Sequence, residues 1–147
     1  MTAFRNPSDA EIRALLERAR VIAVVGLSPK PDRPSHGVAR ALQRFGYRVI
    51  PVRPAVASVL GEKAYPDLRA VPEKIDLVDV FRAPEHVDAI VDECIALAVP
   101  ALWLQDGVVN EPAAARAQAA GILVVMDRCV YREYLRLFGE APRPAGK

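Results

Sequence analysis

An α/β fold, with a mostly parallel five-stranded sheet and helices on both faces, is what this sequence predicts. Three observations carry the expectation. Apolar β-branched runs and helical patterns take turns along the chain, which is the signature of βαβ units. The runs lack polar alternation, as befits parallel strands buried on both faces. Most of the distinctive polar residues directly follow the runs, where open α/β sheets bind their ligands.

Taken in order, Ser8 caps a first helix, and Glu11 three residues on completes a capping box. Ile12, Leu15, Leu16 and Ala19 then form a helical apolar stripe. VIAVVG (21–26) is the first strand, and a Pro-rich loop SPKPDRPS (28–35) follows it. A helix is expected over about 35–45, with Ser35 at its start and Gly46 just past its end. YRVIPV (47–52) is the second strand; Pro51 sits badly inside a central strand, so the chain is expected to leave the ladder there. A proline-punctuated connection with one short helix near Leu68 leads to DLVDVF (76–81), the third strand. The segment 85–98 reads as a helix with Val87, Ile90, Val91, Cys94, Ile95 and Leu97 largely facing the sheet. ALWLQ (101–105) is the fourth strand, Asn110 caps a helix to about 120, and ILVVM (122–126) is the fifth strand. A last amphipathic helix spans 130–138, and the tail 139–147 is expected to be mobile. Right-handed crossovers then give a Rossmann-like, doubly wound sheet, expected in the order 3-2-1-4-5. The whole chain, 1–147, reads as one domain with the first 20 residues packed on it.

Composition narrows the function. The chain has 147 residues, enough for one core. Its 20 basic and 18 acidic side chains leave a net charge of +2, which argues against attraction to nucleic acid or an anionic membrane. No window reaches the roughly 20 apolar residues of a membrane span, and the N-terminus lacks the pattern of a signal peptide. Two cysteines and two histidines make neither a disulfide framework nor a metal site. These features point to a soluble, cytoplasmic protein. The 13 prolines are about twice average usage, and many fall in the loops that follow strands, where they stiffen the chain before a ligand arrives.

The loop after the first strand is the most informative. Gly26 lets backbone approach a ligand closely. Ser28, Lys30, Arg33 and Ser35 then lead into a helix N-terminus, whose free N–H groups and dipole attract anions. Such a loop suits a phosphate or pyrophosphate; the competing reading makes Lys30 and Arg33 solvated charges and Ser35 a plain helix cap. The compact G-x-G-x-x-G of dinucleotide binders is missing, because Gly37 comes too late. Arg53 stands where an acid would bond a ribose hydroxyl, and arginine there suits a ribose phosphate; it could equally be a surface residue between Pro51 and Pro54. Both features weaken NAD and leave NADP or another nucleotide with a ribose phosphate.

The stretches AVVGLSPKPDRPSHGVARAL, GYRVIPVRP, LGEKAYPDL, DLVDVFRAPE, LWLQDGVVN and GILVVMDRCVYREY resemble, in order and spacing over about 22–134, the small bacterial and archaeal CoA-binding domain proteins. These are stand-alone relatives of the N-terminal CoA-binding domain of the succinyl-CoA synthetase α subunit. The resemblance implies coenzyme A as ligand. Gly26, Leu27 and Ser28 match the family's first phosphate-side turn, and Lys30, Arg33 and Ser35 its basic loop. Val52, Phe81 and Arg82 match segments after the second and third strands, and Gln105 and Gly107 the one after the fourth. His36 and Arg53 stand where the family commonly has Tyr and Asn. On this reading Lys30, Arg33 and Arg53 meet the pyrophosphate and ribose phosphate, while His36 either supports charge at the phosphate or is simply exposed to solvent. Val52, Pro54 and Phe81 line an adenine slot, and the pantetheine arm runs towards Gln105 and Gly107.

No catalytic set stands out. Cys129 beside Arg128 has a cation that could lower its pKa, but a small cysteine is more often a packing residue; Cys94 and Trp103 read as core. Asp127 is expected to position Arg128 or cap the last helix, and Asp106 to sit in a turn. The synthetase relatives use a phosphohistidine from another domain, which has no counterpart in this sequence. The expectation is therefore a CoA-binding protein without its own catalytic centre, acting as a homodimer or with a partner enzyme. The rivals are an NADP-dependent oxidoreductase and an interaction module that has lost its ligand.

Overall fold

A computed structural model describes residues 3–142; the last five residues of the expected mobile tail lie outside the described residues. The chain begins with α1 (Asp9–Arg18), capped by Ser8, whose Oγ accepts from Glu11 N while the Glu11 carboxylate accepts from Ser8 N at 3.0 Å. Then come β1 (Val21–Val25), α2 (Pro34–Arg44) and β2 (Arg48–Val52). A small hairpin of β3 (Ser58–Val59) and β4 (Glu62–Lys63) and a 3-10 turn, Leu68–Ala70, fill the next connection. After β5 (Leu77–Val80), a 3-10 turn at Pro84–His86 leads into α3 (Val87–Ala96). The chain finishes with β6 (Ala101–Leu104), α4 (Glu111–Ala119), β7 (Leu123–Val125) and α5 (Val130–Phe138). Asn110 Oδ1 caps α4 by accepting from Ala113 N at 3.1 Å. Among the described residues no helix is long and apolar enough to cross a membrane.

The five long strands are all parallel and lie in the order β2-β1-β5-β6-β7. In the numbering of the sequence reading this is 2-1-3-4-5, so the expected order 3-2-1-4-5 is corrected: the third strand pairs with the first, not the second. Two contacts explain the outcome. The outer edge of β2 is already taken, because Tyr65 N donates to Pro51 O at 3.0 Å and Arg53 N to Tyr65 O at 2.8 Å. The start of β5 is held to the start of β1, with the Asp76 carboxylate accepting from Arg20 N at 3.0 Å and Val21 N at 2.9 Å. Nor does β2 leave the ladder at Pro51, which pairs in register with Val24. Its carbonyl faces outward to Tyr65, and so does its ring nitrogen, so the missing N–H costs no bond to β1. The proline marked an edge strand.

The sheet separates two cores. Alternate residues, Ile22 and Val24 of β1, Leu77 of β5 and Trp103 of β6, pack with α1, α2 and α5. Ala23, Val25, Val78, Val80, Leu102 and Leu104 face α3 and α4. On α3 the buried stripe is Val87, Ile90, Val91 and Cys94; Ile95 and Leu97, expected on the sheet side, are exposed, Ile95 at the flank of that stripe in the last turn and Leu97 already past the helix end. The chain winds over one face from β1 to β2 and over the other from β5 to β7. The winding reverses between β1 and β5, where the fold opens a crevice beyond their carboxyl ends.

Candidate nucleotide site

The crevice is built on a close approach. Gly26, at φ +84°, ends β1, and a Cβ placed on it would lie 2.4 Å from Phe81 O and 2.9 Å from the Arg82 side chain. No other residue lets the ends of β1 and β5 come together this way. Gly26 N donates to Val52 O, and Phe81 N to Val25 O, both at 2.9 Å, so three strand ends are stitched into one floor.

Over this floor stands the N-terminus of α2. The helix begins at Pro34 rather than at Ser35, with Arg33 in the N-cap position and no side-chain cap. Ser35 is therefore not the cap: its hydroxyl accepts from Ser28 N at 3.0 Å, and Ser28 Oγ accepts from Lys30 N at 3.1 Å. The two serines shape the loop and leave the helix terminus uncapped. Lys30 and Arg33 are exposed, and no salt bridge pairs either of them with an acid among the described residues. Both line a cleft of about 600 Å³ with Gly26, Ser28, Ser35, Arg53 and Phe81. Arg53 reaches back from β2 and donates to Gly26 O at 3.2 Å. Arg82 lies in a neighbouring cleft of about 490 Å³ that shares Gly26, Arg53 and Phe81.

A third cavity, of about 690 Å³, opens beside these and shares Pro34 and Phe81 with the first. Gly37 and Val38 of α2 form one wall, and Gln105, Val108, Cys129 and Tyr131 the other. Gln105 is buried and its Oε1 accepts from Val130 N at 3.2 Å, capping α5. That role was expected of Asp127, which instead accepts from Gly107 N at 2.8 Å, at φ +63°. Asp127 thus ties together the loops after β6 and β7. Asp106 is paired with Arg132 at 2.5 Å. Trp103 is core, its indole N–H donating to Arg128 O at 2.8 Å.

Several of the residues singled out in the sequence lie beneath the surface. Leu27 and Val52 belong to the two cores. His36 lines none of these three cavities: its ring is buried, with Nδ1 3.1 Å from Ser28 O, so it props the loop. Pro29, Pro34 and Pro54 line the first cleft as the loop prolines were expected to, and Ala55 and Val56, which follow Pro54, line it without having been singled out. Among the described residues no cluster of His, Cys, Asp or Glu could hold a metal ion.

Residues 20–134 match the family model described as a CoA binding domain. The uncharacterized protein YneT of Bacillus subtilis is 44% identical over 127 residues, covering 86% of this chain and 94% of that one. A hypothetical protein from Pyrococcus horikoshii OT3 superposes with a TM-score of 0.88 at 38% identity, over 95% of this chain and all of the other. A 75-residue stretch is 31% identical to acetate–CoA ligase (ADP-forming) I of Archaeoglobus fulgidus, half of this chain but only 11% of that enzyme. With a whole-domain match and a whole-length relative in hand, this chain belongs to the CoA-binding domain family.

Proposed function

We propose that the chain binds coenzyme A across the carboxyl ends of β1, β2 and β5, and does so as a single domain without a catalytic centre of its own. The observation that carries this reading is the uncapped N-terminus of α2, flanked by the unpaired cations Lys30 and Arg33, above the Gly26–Phe81 floor. A pyrophosphate would meet the positive end of the α2 dipole, the Ser35 N–H and both cations at once, the His36 and Gly37 N–H groups already donating to Arg33 O. Arg53 would meet the ribose phosphate, using the guanidinium N–H groups not spent on Gly26 O. Gly26, Leu27, Ser28 and Ser35 would supply the close backbone, Phe81 and Pro54 the adenine slot, with Val52 in the core beneath it, and Arg82 the outer rim. The pantetheine arm would lead over Phe81 towards Gln105 and Gly107, and His36 would act only by holding the loop. A cytoplasmic setting and a homodimer or partner enzyme go with this role.

Titration calorimetry with CoA and with NADP tests the reading. CoA should bind in the micromolar range or tighter, and Lys30→Ala with Arg33→Ala should weaken it at least tenfold, since each charge-assisted contact contributes about 1.5–3 kcal/mol. NADP binding without CoA binding would favour an oxidoreductase. Failure of both would favour an interaction module.

A further inference from the structure

Gly37 has no backbone reason to be glycine. It is the fourth residue of α2, its φ is not in the left-handed region, and a Cβ there would touch nothing within 4 Å. Glycine inside a helix is destabilising by roughly 0.5–1 kcal/mol relative to alanine. What the missing side chain leaves is space, because Gly37 forms the wall of the 690 Å³ cavity that continues from the phosphate-side cleft past Pro34 and Phe81. The rest of that wall is mainly apolar: Val38, Phe81, Val108 and Tyr131. One polar group is poised in it. Gln105 is 4% exposed, and its Oε1 is committed to Val130 N, which leaves the Nε2 donor without a bonded acceptor among the described residues. The Asp106–Arg132 pair at the rim is internally neutralised.

We infer that this cavity takes the acyl end of an acyl-CoA thioester carrying a short apolar chain, and that Gly37 sets the room for it; the inference rests on the CoA reading above. A free thiol would leave the cavity's apolar wall wet. A thioester offers a carbonyl acceptor to Gln105 Nε2 and methylenes to Val38, Val108 and Tyr131. A carboxylated acyl group would bring its charge to an apolar wall and to Asp106.

The test is calorimetry with CoA, butanoyl-CoA and succinyl-CoA on the protein and on Gly37→Leu, which fills the cavity from a helix position that tolerates a side chain. Each buried methylene favours binding about fourfold, so butanoyl-CoA should bind on the order of tenfold tighter than CoA, and succinyl-CoA no tighter than CoA. In Gly37→Leu the ratio of butanoyl-CoA to CoA affinity should fall towards one, with Gly37→Ala between. Equal binding of CoA and butanoyl-CoA by the unaltered protein would overturn the acyl assignment while leaving CoA binding intact. An unchanged ratio in Gly37→Leu, or tighter binding of succinyl-CoA than of butanoyl-CoA, would overturn it too. Loss of all three ligands by the unaltered protein would instead remove the CoA reading itself.

Discussion

Asp79 should be a liability for stability, and removing it should make the protein more stable. It lies in the middle of β5, in register with Val24 on one side and Trp103 on the other. It is fully buried, and neither carboxylate oxygen has a hydrogen-bond partner. Burial, with no donor or cation beside it among the described residues, pushes its carboxyl well above the ordinary value of 3.8. An unsatisfied buried polar group costs about 1–3 kcal/mol. Asp79→Val replaces it with a strand-forming side chain of similar size among apolar neighbours. The variant should gain at least about 1–3 kcal/mol, the cost of the unsatisfied group, or at least roughly 3 °C in Tm for a domain of this size, and the proton held by the folded parent adds to this gain as pH rises. The sign of the pH dependence follows from the raised pKa. Below the unfolded value both states are protonated; as pH rises through it, the unfolded chain releases a proton that the folded chain keeps, and stability falls. Thermal unfolding followed by circular dichroism from pH 4 to pH 8 should therefore show the gap between variant and parent widening with pH. A variant less stable than the parent at pH 7, or a gap that does not change with pH, would mean that Asp79 is engaged by a donor or ion, and the reasoning would fail.

Gly26→Ala should lose about 3 kcal/mol, from the left-handed backbone and from parting the β1 and β5 ends joined by Phe81 N to Val25 O. Urea unfolding measures it, and a loss under about 1 kcal/mol would mean the strand ends can separate freely. The two thiols should differ sharply. Burial, together with nearby Glu93, pushes Cys94 up to about 12, whereas Cys129 lines the third cavity. A maleimide should modify Cys129 alone in the native protein, and more slowly with butanoyl-CoA, which has no free thiol, present; native labelling of Cys94, located by peptide mass mapping, would contradict this.

Local rules located most of the chain's elements. Capping residues Ser8 and Asn110 start their helices where their side-chain chemistry demands, and the β-branched runs form strands because only a doubly buried position suits them. The loop after β1 was legible for the same reason: its glycine, cations and helix start are contiguous. The hairpin at 58–63 was harder to read, because its two-residue turn, Leu60–Gly61, places a leucine at φ +54°, where a sequence would be expected to show Asn or Gly.

Sequence by itself thus determined the types of the main elements, the parallel sheet, the contiguous glycine, hydroxyls and cations of the first loop, and the family. Tertiary structure alone decided which strands are neighbours. Pairing depends on contacts between distant segments, the Tyr65 bond to Pro51 and the Asp76 clamp on β1, whose strength no local pattern records. The same holds for the site. That Phe81 joins all three cavities follows from β5 lying beside β1, and that Gln105, not Asp127, caps α5 follows from which side chain the folded loops bring within 3.2 Å of Val130 N.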